Sequence, residues 1–271
     1  MKKNVYSRGK ALRRALRSKK SVTAIYLILR ALVILTLVLQ FLHGNFENVF
    51  LCVLTLVLLT LPTVIERRIK IDLPDTLEII ILLFIFAAEI LGEIQAYYTL
   101  FKGWDTMLHT LNGFLCAAIG FSLVDLLNRN DRFSLSLSPA FMAIVAFCFS
   151  MTIGVLWEFF ECGMDQLLLL DMQKDAVVHE ISSVMLDPTG GNTPTIIRGI
   201  TDVIVVAGGE QISLGLGGYL DIGLLDTMKD LFVNFIGAVV FSWIGYFYVK
   251  GRGKGRFASR FIPKVLPDNE E

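Results

Sequence analysis

Five acidic residues and one histidine recur at helical spacing inside apolar stretches of this 271-residue chain: Asp105 with His109, Glu158 with Glu161, and Asp226 with Asp230. Side chains three or four residues apart share one face of a helix. In helices apolar enough to sit in a bilayer, ionisable groups are rare and point to function by default. Carboxylates with an imidazole suit a hard or borderline divalent cation such as Mg, Mn, Ca or Zn, with Asp105, His109, Glu158, Glu161 and Asp230 as ligands. The same groups crowded in a low dielectric would instead have to share protons, forming a proton store. The sequence leaves both open, and no HExxH or CxxC pattern selects a metal. Each carboxylate alone also has an ordinary explanation. Asp105, Asp226 and Asp230 lie near helix starts, where the macrodipole favours negative charge. Glu158 and Glu161 lie near a helix end, where the dipole opposes them, so they need a partner, a proton or a cation.

The elements that must position these residues are long apolar runs. Hydrophobic residues make up 54% of the chain and mean hydropathy is +0.63. The 25 basic and 25 acidic residues cancel, but they gather at the termini and in short loops. This composition describes an all-α polytopic membrane protein. About six transmembrane helices are expected near residues 22–42, 49–65, 77–94, 104–127, 138–163 and 230–249. Each supplies the roughly 20 residues that a ~30 Å hydrocarbon core requires. Residues 1–21 form a basic arm, 22–250 a single transmembrane domain, and 251–271 a tail. The arm reads as a cytoplasmic anchor orienting the first span, not as a nucleic-acid contact. The first apolar run is too long for a cleaved secretory segment. Asp75-Thr76 is expected to cap the third span and Ser138-Pro139 the fifth. Arg30 is expected to pair with Glu78 or Asp125, or to snorkel. No disulfide is expected from the four cysteines.

Lys and Arg in the loops set the orientation. The arm, the loop with Arg67, Arg68 and Lys70, the loop with Arg129 and Arg132, and the tail are expected inside, so both termini are cytoplasmic. The long loop 164–228 is then extracytoplasmic. It is too long for a plain connection; strands or short helices are expected at 177–186 and 203–206, with a turn at 187–192. Its low-charge part, 200–225, reads as a lid on or dipping into the bilayer surface. Arg198 and His179 are its candidate groups for a phosphate head group, and Asn112 and Asn234 are further candidates for substrate contact. In this topology Asp105, His109, Glu158, Glu161, Asp226, Asp230 and Asn234 all fall at the outer end, as do Glu89 and Glu93.

Taken in order, Asp105-x3-His109-x3-Gly113, Trp157-Glu158-x2-Glu161 and Asp226-Thr227-x2-Asp230-x3-Asn234-x2-Gly237-Ala238 resemble the YjdF-like family of bacterial inner-membrane proteins. More distantly they resemble the VanZ-like group, some of whose members are linked to glycopeptide resistance. The likeness covers residues 104–249 well and the first three spans more loosely. It implies a fold, a site and a bacterial cytoplasmic membrane, but no substrate. Three functions stay open: an enzyme or lipid-binding factor at the outer leaflet, in which Asp105, His109, Glu158, Glu161, Asp226 and Asp230 are the candidate catalytic residues, holding a cation or acting as general base on a lipid or cell-envelope intermediate; an ion- or proton-coupled transporter; and a membrane scaffold. Membrane lipids are the expected partners and a divalent cation the candidate cofactor.

Overall fold

The computed structural model describes residues 19–69, 71–128, 136–251, 253 and 255–265. The basic arm through residue 18 lies outside the described residues, as do Lys70, Arg129, Arg132, Arg252 and Lys254. The chain divides into two compact units, one of Met1–Thr152 with Val233–Glu271 and one of Ile153–Phe232. Among the described residues five helices are long and apolar enough to cross a membrane: Lys20–Leu42, Phe46–Arg68, Trp104–Asn128, Pro139–Leu168 and Leu224–Lys250.

In the first unit, α1 (Lys20–Leu42) ends where Gly44 takes a positive φ of 73°, and Asn45 then caps α2 (Phe46–Leu58) by accepting from the Asn48 N–H at 3.3 Å. A turn at Leu59-Thr60 separates α2 from α3 (Leu61–Ile69) inside the expected second span. Pro62 fits there because a first-turn residue needs no N–H of its own. Strand β1 (Ile71–Asp72) follows, then α4 (Asp75–Phe86). The cap of α4 is Pro74 and not Asp75-Thr76; Asp75 already lies in the first helical turn, where it complements the dipole. The expected third span is thus a 12-residue α-helix that continues as an eight-residue π-helix, Ala87–Ile94, carrying Glu89 and Glu93. Left-handed Ala96 breaks it, α5 (Tyr97–Leu100) follows, and α6 (Trp104–Asn128) begins. Helix α7 (Pro139–Leu168) starts as expected, with the Ser138 hydroxyl accepting from the Phe141 N–H at 3.2 Å. The last long helix is α8 (Leu224–Lys250).

Two apolar cores hold this unit. One gathers Leu77, Leu115, Phe121, Met142, Phe241 and Phe261, with Phe114 edge-on to Phe241 at 5.0 Å. The other joins Val33, Cys52, Leu59, Leu82 and Ile85. Lys19, at the start of α1, sits in a cage of oxygens: Glu66 at 2.6 Å, Glu78 at 2.9 Å, the Leu73 carbonyl at 2.9 Å and Asp72 at 3.2 Å. Burial pulls the Lys19 pKa down, but the hydrogen bonds and charges of Glu66 and Glu78 outweigh it and hold the ammonium above the ordinary lysine range. Glu78 is therefore not Arg30's partner. Arg30 instead donates to the Tyr26 hydroxyl at 2.5 Å and lies over that ring. All four cysteines are free thiols.

In the second unit the loop carries three antiparallel ladders. Strand β2 (Val177–Val178) pairs β7 (Tyr219–Leu220), β3 (Glu180–Ser183) pairs β4 (Thr195–Arg198), and β5 (Ile204–Ala207) pairs β6 (Glu210–Ser213). The expected structure at 177–186 resolves into β2, β3 and a 3-10 turn, Val184–Leu186, and the run 203–206 gives β5. The β5–β6 turn is Gly208-Gly209, both with positive φ, as a two-residue hairpin loop requires. Asp202 fastens the base of this hairpin. It accepts from the Ser213 hydroxyl and from the backbone N–H groups of Val203 (2.8 Å) and Gly215 (3.0 Å). The Ser213 bond, followed by the Val203 N–H, holds its pKa below the usual aspartate range. A depressed carboxylate pKa contributes stability above its unfolded value, near 3.9, that is lost as pH falls through the folded value. Asp202→Ala should therefore speed amide exchange across 204–213, and acidification of the unaltered protein below about pH 4 should do the same.

Candidate functional site

Helix α6 places Asp105 and His109 one turn apart, with the imidazole Nε2 3.3 Å from the Asp105 carboxylate. Both side chains are largely shielded, so the pair offers an oxygen and a nitrogen ligand on one face. One turn further along, the Asn112 amide donates to the Asn234 side-chain oxygen of α8 at 3.1 Å, and the Cys116 thiol approaches the Asn112 oxygen at 3.4 Å. Asn234 in turn donates to the Met151 sulfur of α7 at 3.6 Å. The Ser150 hydroxyl donates to the Gly113 carbonyl at 2.7 Å, so α6, α7 and α8 meet through polar contacts at this level. The two asparagines proposed for substrate contact are thus occupied with each other. Glycines make this close approach possible. A Cβ on Gly113 would lie 2.1 Å from the Asn234 carbonyl oxygen, and one on Gly237 would lie 2.1 Å from that of Thr110.

Within the second unit, α7 carries Glu158 and Glu161 and the first turns of α8 carry Asp226 and Asp230. Glu158 is 4% exposed, Glu161 8% and Asp230 1%. The Trp157 indole donates to Glu161 at 2.7 Å, a contact that orients this carboxylate. Lys229, which the spacing of the acidic residues does not bring to notice, reaches Asp226 at 2.7 Å and Asp230 at 3.4 Å. These two aspartates therefore have a positive charge beside them. Arg198 lies on the exposed β3–β4 ladder and pairs with Glu180 at 2.8 Å across the strands. His179 contacts the Ile200 carbonyl at 3.1 Å. Neither Arg198 nor His179 shares a contact with the carboxylates of α7 and α8 in the described hydrogen bonds and ion pairs.

Chemically, carboxylates and an imidazole on apolar helices can ligate a cation or exchange protons, and Trp157 and Lys229 fix their orientation and charge. Long apolar helices bearing such groups define an integral membrane protein. The chain belongs to the predicted membrane protein family DUF2238, which it matches over residues 24–251. No curated protein and no solved structure matches it.

Proposed function

We propose that the protein binds a divalent cation on its outward side, with Glu158, Glu161 and Asp230 of the second unit and the Asp105–His109 pair of the first as the candidate ligands, and that Asp226 adjusts the charge near Asp230. The observation that carries this reading is the burial of Glu158, Glu161 and Asp230 on helices of membrane-spanning length. Carboxylates in such helices are costly and mark a site by default. The Asp105–His109 contact adds a mixed oxygen–nitrogen pair of the type that Mn or Zn accepts and Mg or Ca tolerates less well. Lys229 beside Asp226 and Asp230 reduces the charge those two offer a cation, so Glu158 and Glu161 are its principal anionic ligands.

We place the protein in the bacterial cytoplasmic membrane with both termini inside, as the Lys and Arg distribution and the YjdF-like resemblance support. A cation at the outer leaflet would polarise or orient an anionic lipid or cell-envelope intermediate, the role for which Arg198, Asn112 and Asn234 are weaker candidates. Metal analysis of the protein purified from membranes, without chelator, tests this. A stoichiometric divalent cation is expected. His109→Ala and Glu158→Gln should each lower its affinity by about tenfold or more, the scale on which even the supporting residues of metal sites act. Metal content that is negligible, or equal in all three proteins, would sink the reading.

A further inference from the structure

Helix α7 has 30 residues and α8 has 27. At a rise of ~1.5 Å per residue they are about 45 and 40 Å long, the thickness of a bilayer including its head groups. Helices of this length are long enough for the end of α7 and the start of α8 to reach the interfacial zone. Four consecutive leucines close α7 and open the next segment, Leu167 to Leu170, and they are exposed, Leu167 at 82% and Leu169 at 89%. Ile222, Leu224 and Leu225, at the start of α8, are exposed as well.

Two features hold these side chains outward. Leu169 and Ile222 both take left-handed backbone conformations, φ 54° and 57°, in which non-glycine residues are uncommon and a β-branched one is an outlier. The aspartates of the same segments are occupied with backbone N–H groups. Asp165 accepts from the N–H groups of Met172 (2.6 Å) and Gln173 (2.8 Å). Asp221 accepts from Ala176 (2.7 Å) and Leu225 (2.8 Å), and Asp226 from Lys174 (2.9 Å). Gln173 also reaches the Thr227 hydroxyl, and Gly223 leaves no room for a Cβ against Gln173. The strap from Met172 to Ala176 is thus tied by its own backbone both to the end of α7 and to the segment that opens α8. A surface in water has no need to satisfy its N–H groups internally, whereas one against lipid does. No charged side chain occurs within 167–170 or 222–225, and the exposed charges resume at Asp171, Lys174 and Asp175.

We propose that Leu167–Leu170 together with Ile222, Leu224 and Leu225 form an apolar rim immersed in the interfacial zone of the bilayer, in contact with lipid acyl chains. The rim anchors the loop module at the surface, and the flanking charges limit its depth. An apolar face with a charged border is the pattern of interfacial membrane elements. The inference does not rest on the cation site. It is tested with a benzophenone amino acid in place of Leu169 in the full-length protein, irradiated in native membranes. A mass shift corresponding to phospholipid is expected, and the same probe in place of Met185, exposed on the 3-10 turn, should give none. The probe in place of Leu224 serves equally where the Leu169 variant fails to accumulate. A cross-link to a second copy of the chain, or no lipid adduct from either rim position, would overturn the proposal.

Discussion

Gly237→Ala is expected to be among the most damaging single-methyl additions in this protein. The new Cβ would lie 2.1 Å from the Thr110 carbonyl oxygen and 2.8 Å from the Phe114 nitrogen. Both are backbone atoms of α6, so no rotamer change relieves the clash, and the helices must part by about 1 Å to restore ordinary contact. Gly113 makes the reciprocal approach to the Asn234 carbonyl, so either substitution opens the same seam. Overpacking usually costs about 1–3 kcal/mol, and a clash between two helix backbones lies at the upper end. Close approach through small residues is also how membrane helices gain their van der Waals contact. Separation would further stretch the Asn112–Asn234 hydrogen bond, now 3.1 Å, which is worth about 1 kcal/mol in a bilayer. Thermal unfolding in detergent should show a midpoint lower by on the order of 10 °C. Gly163→Ala is the control. A Cβ there meets nothing within 4 Å, so the better helix propensity of alanine should leave stability equal or higher.

That seam also illustrates how far the sequence can be read. The long helices are legible because apolar runs of bilayer length admit few other structures, and Ser138-Pro139 marks the start of α7 through ordinary capping chemistry. Interruptions within apolar runs are not legible. Pro62 and Gly92 mark the neighbourhoods of the Leu59-Thr60 turn and of the π-helix at Ala87–Ile94, but neither residue fixes the kind of irregularity, which tertiary packing selects. The helical spacing of Asp105 and His109 correctly implies their contact. The spacing of Asp226 and Asp230 says nothing of Lys229, because its role depends on which way a long, flexible side chain turns. Asn112 and Asn234 look available for a substrate in sequence, but 122 positions separate two amides that bond each other in the fold. Lys19 is hidden most completely. It reads as one more charge in a basic arm, whereas its cage is built from residues dozens of positions away.

Lys19→Met should therefore cost more than the loss of any surface lysine. The methionine would keep most of the side-chain volume but leave Glu66, Glu78 and Asp72 facing one another around an apolar group. Removing one partner of a buried ion pair typically costs about 3–5 kcal/mol, because the other charge is left uncompensated. Lys19 is 19% exposed at its side chain and Asp72 51%, so solvent screens part of this and about 2–3 kcal/mol is the reasonable scale. The pH dependence has a definite sign. The Lys19 pKa is raised by folding, so the stability it contributes is complete below the unfolded lysine value, near 10.4, and is lost only as pH rises through the folded one. The unaltered protein should consequently lose nothing through this group between pH 5 and 9. The variant, which leaves these carboxylates without a counter-charge, should be worse at pH 8 than at about pH 4, near the ordinary carboxylate range. Lys19→Arg should recover part of the loss, retaining the charge but not the compact ammonium that meets Glu66, Glu78 and the Leu73 carbonyl together. A uniform loss across that pH range, with no recovery by arginine, would assign Lys19 to packing alone. The predicted result makes it the electrostatic pin that ties the start of α1 to the β1–α4 segment.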